Sequence, residues 1–121
     1  MKKILVANEL MATLGRKSSF LNRADVRLFT AATSEDVLAV HKTEKVNLII
    51  APLDMPGMKS EQLYAAMRDD RELRSVSVIL VSPDDPSAIE RCSLCKVNAV
   101  ITLPVNVSQL LEHSKLREVL L

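Results

Sequence analysis

At 121 residues the chain has room for one domain and not two, since domains run to roughly 100–200 residues, and with 48% of its residues apolar it can bury a core. Lys and Arg number 16 against 15 Asp and Glu, for a formal charge of +1, and one Tyr and two Phe are the whole aromatic complement; without a basic footprint or stacking rings, nucleic-acid binding is not expected. Two Gly and five Pro among charges of mixed sign also exclude a disordered chain.

The first apolar run, residues 4–7, follows Met1-Lys2-Lys3 and stops at Asn8-Glu9, too short for a signal-peptide core. No run nears the ~20 apolar residues of a membrane span, so a cytoplasmic chain without membrane contact is expected. Four more short β-rich runs follow, at 26–31, 48–51, 76–81 and 99–103. They are mostly continuous rather than alternating, as strands buried on both faces of a parallel sheet would be. Between them apolar positions recur at helical spacing: Leu10, Leu14 and Leu21, then Val37, Leu38 and His41, then Leu63, Ala66 and Met67. Ile89 and Cys92 continue the pattern in a fourth segment, and Val107, Leu110, Leu111 and Ser114 in a fifth. Thr33-Ser34-Glu35-Asp36 signals a helix start with Thr33 as the cap. Pro56-Gly57 and Pro83-Asp84-Asp85-Pro86 mark turns after the third and fourth strands. Five β-α units with short connections predict one doubly wound α/β domain over 1–121. The last helix ends on Leu116, Val119, Leu120 and Leu121 with no Gly, Pro or polar stop, so this domain is expected to be the N-terminal part of a longer protein.

Cys92-Ser93-Leu94-Cys95 is a lone CxxC whose sulfurs would share one helix face, close enough to bind zinc or oxidise. It falls in the last turns of the fourth helix, where the dipole disfavours thiolate, and zinc needs two more ligands. Buried structural cysteines are the expectation. His41 and His113 sit on helices without a carboxylate or cysteine pattern, and residues 69–74 form a solvated mixed-charge segment. The strand ends hold no Gly-rich phosphate loop, nucleophile-base pair or metal cluster, so neither an enzyme nor a cofactor is expected.

Ligands of open α/β sheets bind outside the carboxyl ends of the strands, at the point where strand order reverses. That puts Asn8-Glu9, residues 52–58, Ser82 and Leu103-Pro104 at the candidate site. Ile4-Leu5-Val6-Ala7-Asn8-Glu9, residues 47–58 with Met55-Pro56-Gly57-Met58, Val78-Ile79-Leu80-Val81-Ser82 and Thr102-Leu103-Pro104 carry a family likeness. With Thr30-Ala31-Ala32-Thr33 at the second strand's exit, essentially the whole chain resembles the CheY-like receiver domain of bacterial two-component response regulators. The resemblance implies a flavodoxin-like (βα)5 fold, its five-stranded parallel sheet ordered 2-1-3-4-5, and a role in phosphorelay signal transduction. It also implies which positions carry chemistry: the phospho-acceptor at Pro52, the Mg²⁺-holding acidic pair at Asn8 and Glu9, the hydroxyl at Ser82, and the lysine at Leu103. The aromatic switch position is Val100, and a cis peptide is implied before Pro104.

Pro52 has no nucleophile, Leu103 no charge, Asn8 no carboxylate and Val100 no ring. Mg²⁺ is anchored by one or two carboxylates plus substrate phosphate; Glu9 and the displaced Asp54 are the weak candidates left. Phosphoryl transfer rests on positioning and charge neutralisation, and both are depleted here. Ser82 then becomes an ordinary hydroxyl bonded to nearby backbone. The expectation is a pseudo-receiver with a degenerate pocket, acting without phosphorylation on a protein partner, an output domain C-terminal to Leu121, or a second copy. The resemblance implies contact through the face of the fourth helix, fifth strand and fifth helix, drawing here on Ile89, Cys92, Cys95, Val105 and the apolar tail. Two alternatives stay open: a receiver answering a phosphoryl group or small ligand through Asp54 in an altered pocket, and a redox or metal sensor at Cys92 and Cys95.

Overall fold

The structure, a computed structural model, describes residues 2–11 and 25–103. In chain order these form β1 (Lys2–Ala7), the opening turn of α1 (8–11), β2 (Val26–Ala31), α2 (Ser34–Glu44), β3 (Leu48–Pro52), α3 (Ser60–Asp69), β4 (Ser77–Ser82), α4 (Pro86–Leu94) and β5 (Ala99–Thr102). The strands make one all-parallel sheet in the order β2-β1-β3-β4-β5, the doubly wound arrangement expected. Against the predicted runs, β1 starts two residues earlier, β3 takes in Pro52, β4 shifts to Ser77–Ser82 and β5 stops at Thr102. Among the described residues no helix is long and apolar enough to cross a membrane.

Continuous hydrophobicity in the strands follows from burial on both faces. Every residue of β3 is buried. Leu5, Ile49, Val78 and Leu80 face Val37 of α2, Leu63, Tyr64 and Met67 of α3, and Ala88 and Cys92 of α4. Ile4, Val6, Leu48, Ile50, Ile79, Val81 and Ile101 form the opposite layer with Leu10 of α1. Full burial of each such aliphatic side chain contributes about 1.5–3 kcal/mol, and the pleat assigns successive residues to alternate layers.

Two helical stripes are rotated from their expected positions. In α3, Tyr64 rather than Ala66 is buried, and in α4, Ala88 is buried while Ile89 is 41% exposed. In α4 the shift is one residue, about 100° of helix; in α3 Tyr64, next to the buried Leu63, brings a far larger apolar surface than Ala66. Leu14, Leu21, Pro104, Val105, Val107, Leu110, Leu111, His113, Ser114 and the apolar tail lie outside the described residues.

Polar groups fasten the helix starts and the strand entries. Thr33 caps α2, its Oγ1 accepting from the Asp36 amide at 3.1 Å. Asp85 caps α4 by accepting from the Ser87 amide, with Pro86 opening the helix. Just before β3, Asn47 donates its amide to the Lys3 carbonyl, and its Oδ1 accepts from the Lys3 amide, both at 2.8 Å. Asn98 repeats the device before β5, donating to the Val78 carbonyl and accepting from the Val78 amide on Oδ1. Arg68 of α3 spans the same end of the sheet, donating to the carbonyls of Lys96, Arg74 and Val76 and to Asn98 Oδ1. His41 is buried with both ring nitrogens engaged: Nδ1 accepts from the Val46 amide, which leaves Nε2–H to donate to the Leu73 carbonyl at 2.9 Å.

Candidate functional site

The carboxyl ends of the strands converge on the opposite rim of the sheet. Pro52, the last residue of β3, pairs with Val81 of β4, and Ser82 pairs with Thr102 of β5. Beyond Pro52 the loop is held in place by its neighbours. The Leu53 amide donates to the Val81 carbonyl at 2.9 Å, and Ser60 Oγ donates to the Leu53 carbonyl at 2.5 Å. The N-terminus of α2 grips the loop's far side: the Ser34 amide donates to the Pro56 carbonyl, Ser34 Oγ to the Met58 carbonyl, and the Met58 amide to Glu35 Oε1. Gly57 has φ 101°, the left-handed side that glycine alone takes easily, and a Cβ there would run into the Glu35 carboxylate.

A cleft of about 220 Å³ opens at this rim. Its lining is Glu9 and Leu10 from α1, residues 52–54 from the end of β3, Val81 and Pro83 from the end of β4, and Leu103 after β5. Of the sequence-predicted positions, the structure brings Glu9, Pro52, Asp54 and Leu103 together. Asn8 is exposed outside that lining. Ser82 is fully buried and its hydroxyl donates to the Pro83 carbonyl at 2.9 Å, the local backbone bond expected of it. Val100 on β5 is 39% exposed and takes no part in the cleft.

Asp54 has a cationic partner that sequence reasoning passed over. Arg91 of α4 donates from Nη1 to Asp54 Oδ1 at 2.9 Å, and from Nη2 and Nε to the two oxygens of Glu61 on α3 at 3.1 and 3.4 Å. The bonds to Glu61 and then Asp54 raise the Arg91 pKa, and the Arg91 fork holds the Glu61 carboxyl below its ordinary range. Arg91 sits beside the buried Cys92, at the border of the apolar stripe of α4, and the doubly wound order sets α3 next to α4; that adjacency was the available signal. The Asp54 side chain is 68% exposed, so the pair is a solvated one of modest worth.

These residues do not fit Mg²⁺. Glu9 and Asp54 line the cleft, but Asp54 is engaged by Arg91, and Pro52 and Leu103 bring no oxygen ligand from their side chains. Among the described residues no group of three or more His, Cys, Asp or Glu is placed to hold a metal. Cys92 and Cys95 are free and buried at the end of α4. Buried structural cysteines were the expectation, and both pack into the core. Burial, with the nearby Glu61 charge adding to it, pushes the Cys95 thiol up to about 11, away from reactive thiolate.

A family model described as the response regulator receiver domain matches residues 4–115. Among curated proteins, the heme response regulator HssR of Staphylococcus haemolyticus (strain JCSC1435) is 26% identical over 111 residues, covering 92% of this chain and 49% of the relative. The chain thus spans about half the length of that relative. The receiver domain of a signal transduction histidine kinase from Syntrophus aciditrophicus superposes with a TM-score of 0.82 at 21% identity, over 98% of this chain and 92% of that one. A CheY-like receiver domain protein from Methanospirillum hungatei JF-1 superposes at 0.77 and 26% identity, over 99% and 94% of the two chains. The receiver domain of the sensor histidine kinase PA1611 from Pseudomonas aeruginosa PAO1, solved with magnesium in its active site cleft, scores 0.79 at 15% identity, over 98% and 97%.

Proposed function

The chain belongs to the response regulator receiver domain family, a module of signal transduction, and from that premise we propose that it is a pseudo-receiver that signals without being phosphorylated. One observation carries this reading: Pro52, buried and paired with Val81, occupies the carboxyl end of β3 where the resemblance puts the phospho-acceptor. The nearest alternative carboxylate, Asp54, lies beyond the strand and is engaged by Arg91 rather than free to attack.

Its output in this reading is a protein contact made by α4 and β5. Ile89 and Leu94 on α4 and Val100 on β5 are exposed apolar side chains, 41%, 69% and 39%, in keeping with docking of an output segment, a partner protein or a second copy on these elements. The greater length of the related response regulator is in keeping with an attached output domain.

The test is incubation with acetyl phosphate and Mg²⁺ followed by intact mass analysis, with sedimentation velocity before and after. No phosphoryl adduct and an unchanged association state are expected. An adduct mapped to Asp54 would overturn the reading in favour of an altered-pocket receiver.

A further inference from the structure

We propose that the cleft at the carboxyl rim is a binding site for a short aliphatic ammonium group. Its floor and walls are apolar: Leu10, Pro52, Val81, Pro83 and Leu103 all line it. The one charge at its mouth without an ion-pair partner among the described residues is Glu9; Asp54, the other acid there, already faces Arg91. Among the described residues no cationic side chain lines the cleft. A phosphoryl group or other anion would therefore meet a carboxylate and hydrocarbon, and a divalent cation would find too few oxygen ligands. A ligand with an apolar stem and one terminal positive charge matches both features.

Size limits the stem. At ~30 Å³ per water molecule, 220 Å³ is the space of about seven waters. That falls below the ~300–1,000 Å³ of sites for drug-sized ligands, and suits a chain of about four carbons with its ammonium. Both a free alkylamine and the side chain of a lysine on a partner protein present this chemistry.

The inference rests on the reading above to the extent that the pocket is not occupied by phosphoryl chemistry, and the experiment separates the two. Amide shifts of the full 121-residue chain are followed with n-butylammonium, n-butanol and n-butyrate as probes, at Glu9, Leu10, Leu53 and Leu103. Butylammonium is expected to give saturable shifts, butanol to bind about three- to five-fold more weakly, as loss of one exposed ion pair implies, and butyrate to give no saturation. Glu9→Gln brings butylammonium down to the level of butanol. Leu103→Lys, a change at an exposed residue, supplies a tethered ammonium and abolishes the saturable shifts. Tighter binding of Nα-acetyl-lysine methylamide than of butylammonium identifies a partner's lysine as the source of the group, and the reverse order identifies a free amine. Equal binding of all three butyl probes, no saturable shift, or binding indifferent to both substitutions overturns the proposal. A phosphoryl adduct in a parallel acetyl phosphate sample overturns the pseudo-receiver reading while leaving the amine titration legible.

Discussion

Replacing Arg68 by Met keeps the aliphatic stem and removes the fork that ties α3 to the entries of β4 and β5. In the native fold its Nε reaches the Lys96 carbonyl at 2.9 Å, Nη1 the carbonyls of Arg74 at 2.5 Å and Val76 at 2.7 Å, and Nη2 Asn98 Oδ1 at 2.9 Å. Three of these bonds are exposed and exchange readily with water, so about 0.5–1 kcal/mol each is a fair scale; the part-buried one to Val76 is worth about 1.5 kcal/mol as a bond from a charged donor. The sum, about 3–4.5 kcal/mol, is a large share of the ~5–15 kcal/mol that holds a domain folded. With a urea m-value of ~2 kcal/mol/M the midpoint should fall by about 1.5–2.3 M at unchanged slope, read by circular dichroism. Arg68→Lys should recover only part of the loss, because an ammonium is a point donor and cannot fork to four acceptors. A loss below ~0.5 kcal/mol for Arg68→Met would refute the reasoning, since it would mean that water satisfies these acceptors as well as the guanidinium does.

The buried His41 gives stability a pH dependence. Desolvation is the leading cause of its lowered pKa, partly opposed by its bond to the Leu73 carbonyl. Between the ordinary imidazole value of 6.5 and the lower folded value the unfolded chain holds more protons, so stability is full above 6.5 and falls as the pH descends, by at most ~1.4 kcal/mol per pH unit. Urea titrations at pH 7.5 and 5.5 should show this loss in the parent and a shallower one in His41→Gln; equal slopes would assign the pH dependence to carboxylates instead. Reinstating the missing pair of groups, Pro52→Asp together with Leu103→Lys, should allow slow labelling by acetyl phosphate with Mg²⁺, because Glu9 and the new carboxylate meet the minimum for the metal. Intact mass of the double variant reads this directly, and absence of any adduct would show that the rim differs from a working pocket by more than those two residues.

The architecture was legible because burial on both faces leaves a mark: five continuous apolar runs at regular spacing allow few sheets other than a parallel, doubly wound one. The helix stripes were less so. Helical spacing picks out Leu63 and Met67 of α3 together with Ala66, whereas the buried third residue is Tyr64, whose ring the sheet covers. At the rim, the positions of Glu9, Pro52, Asp54 and Leu103 could be placed from their offset to the strand ends. Arg91 could not, since its partners lie 37 and 30 residues away and depend on how α4 leans on α3. The cysteines were legible: their place at the end of the fourth helix and their burial both follow from the sequence, and both hold.

The two rims of the sheet divide the labour, and on the pseudo-receiver reading that division lets the family's chemistry go without loss of the fold. At the amino ends of the strands, Asn47, Asn98, Arg68 and His41 satisfy backbone groups of the connecting turns. At the carboxyl ends the loop after β3 is fixed through its backbone by Ser34, Glu35 and Ser60, none of them a candidate pocket position. Even Pro52 is accommodated. Successive amides of a strand point to opposite sides, and the Leu53 amide bonds to β4, so the N–H that Pro52 lacks belongs on the β1 side. The pairing of β3 with β1 ends at Ile50, two residues earlier, so proline interrupts no paired stretch there. On the pseudo-receiver reading, an apolar residue at the proposed acceptor position removes the nucleophile while keeping the buried end of β3, and Leu103, which also lines the cleft, offers no charge. Substitutions at this rim change what the cleft can bind far more than whether the chain folds, whereas those at the opposite rim do the reverse.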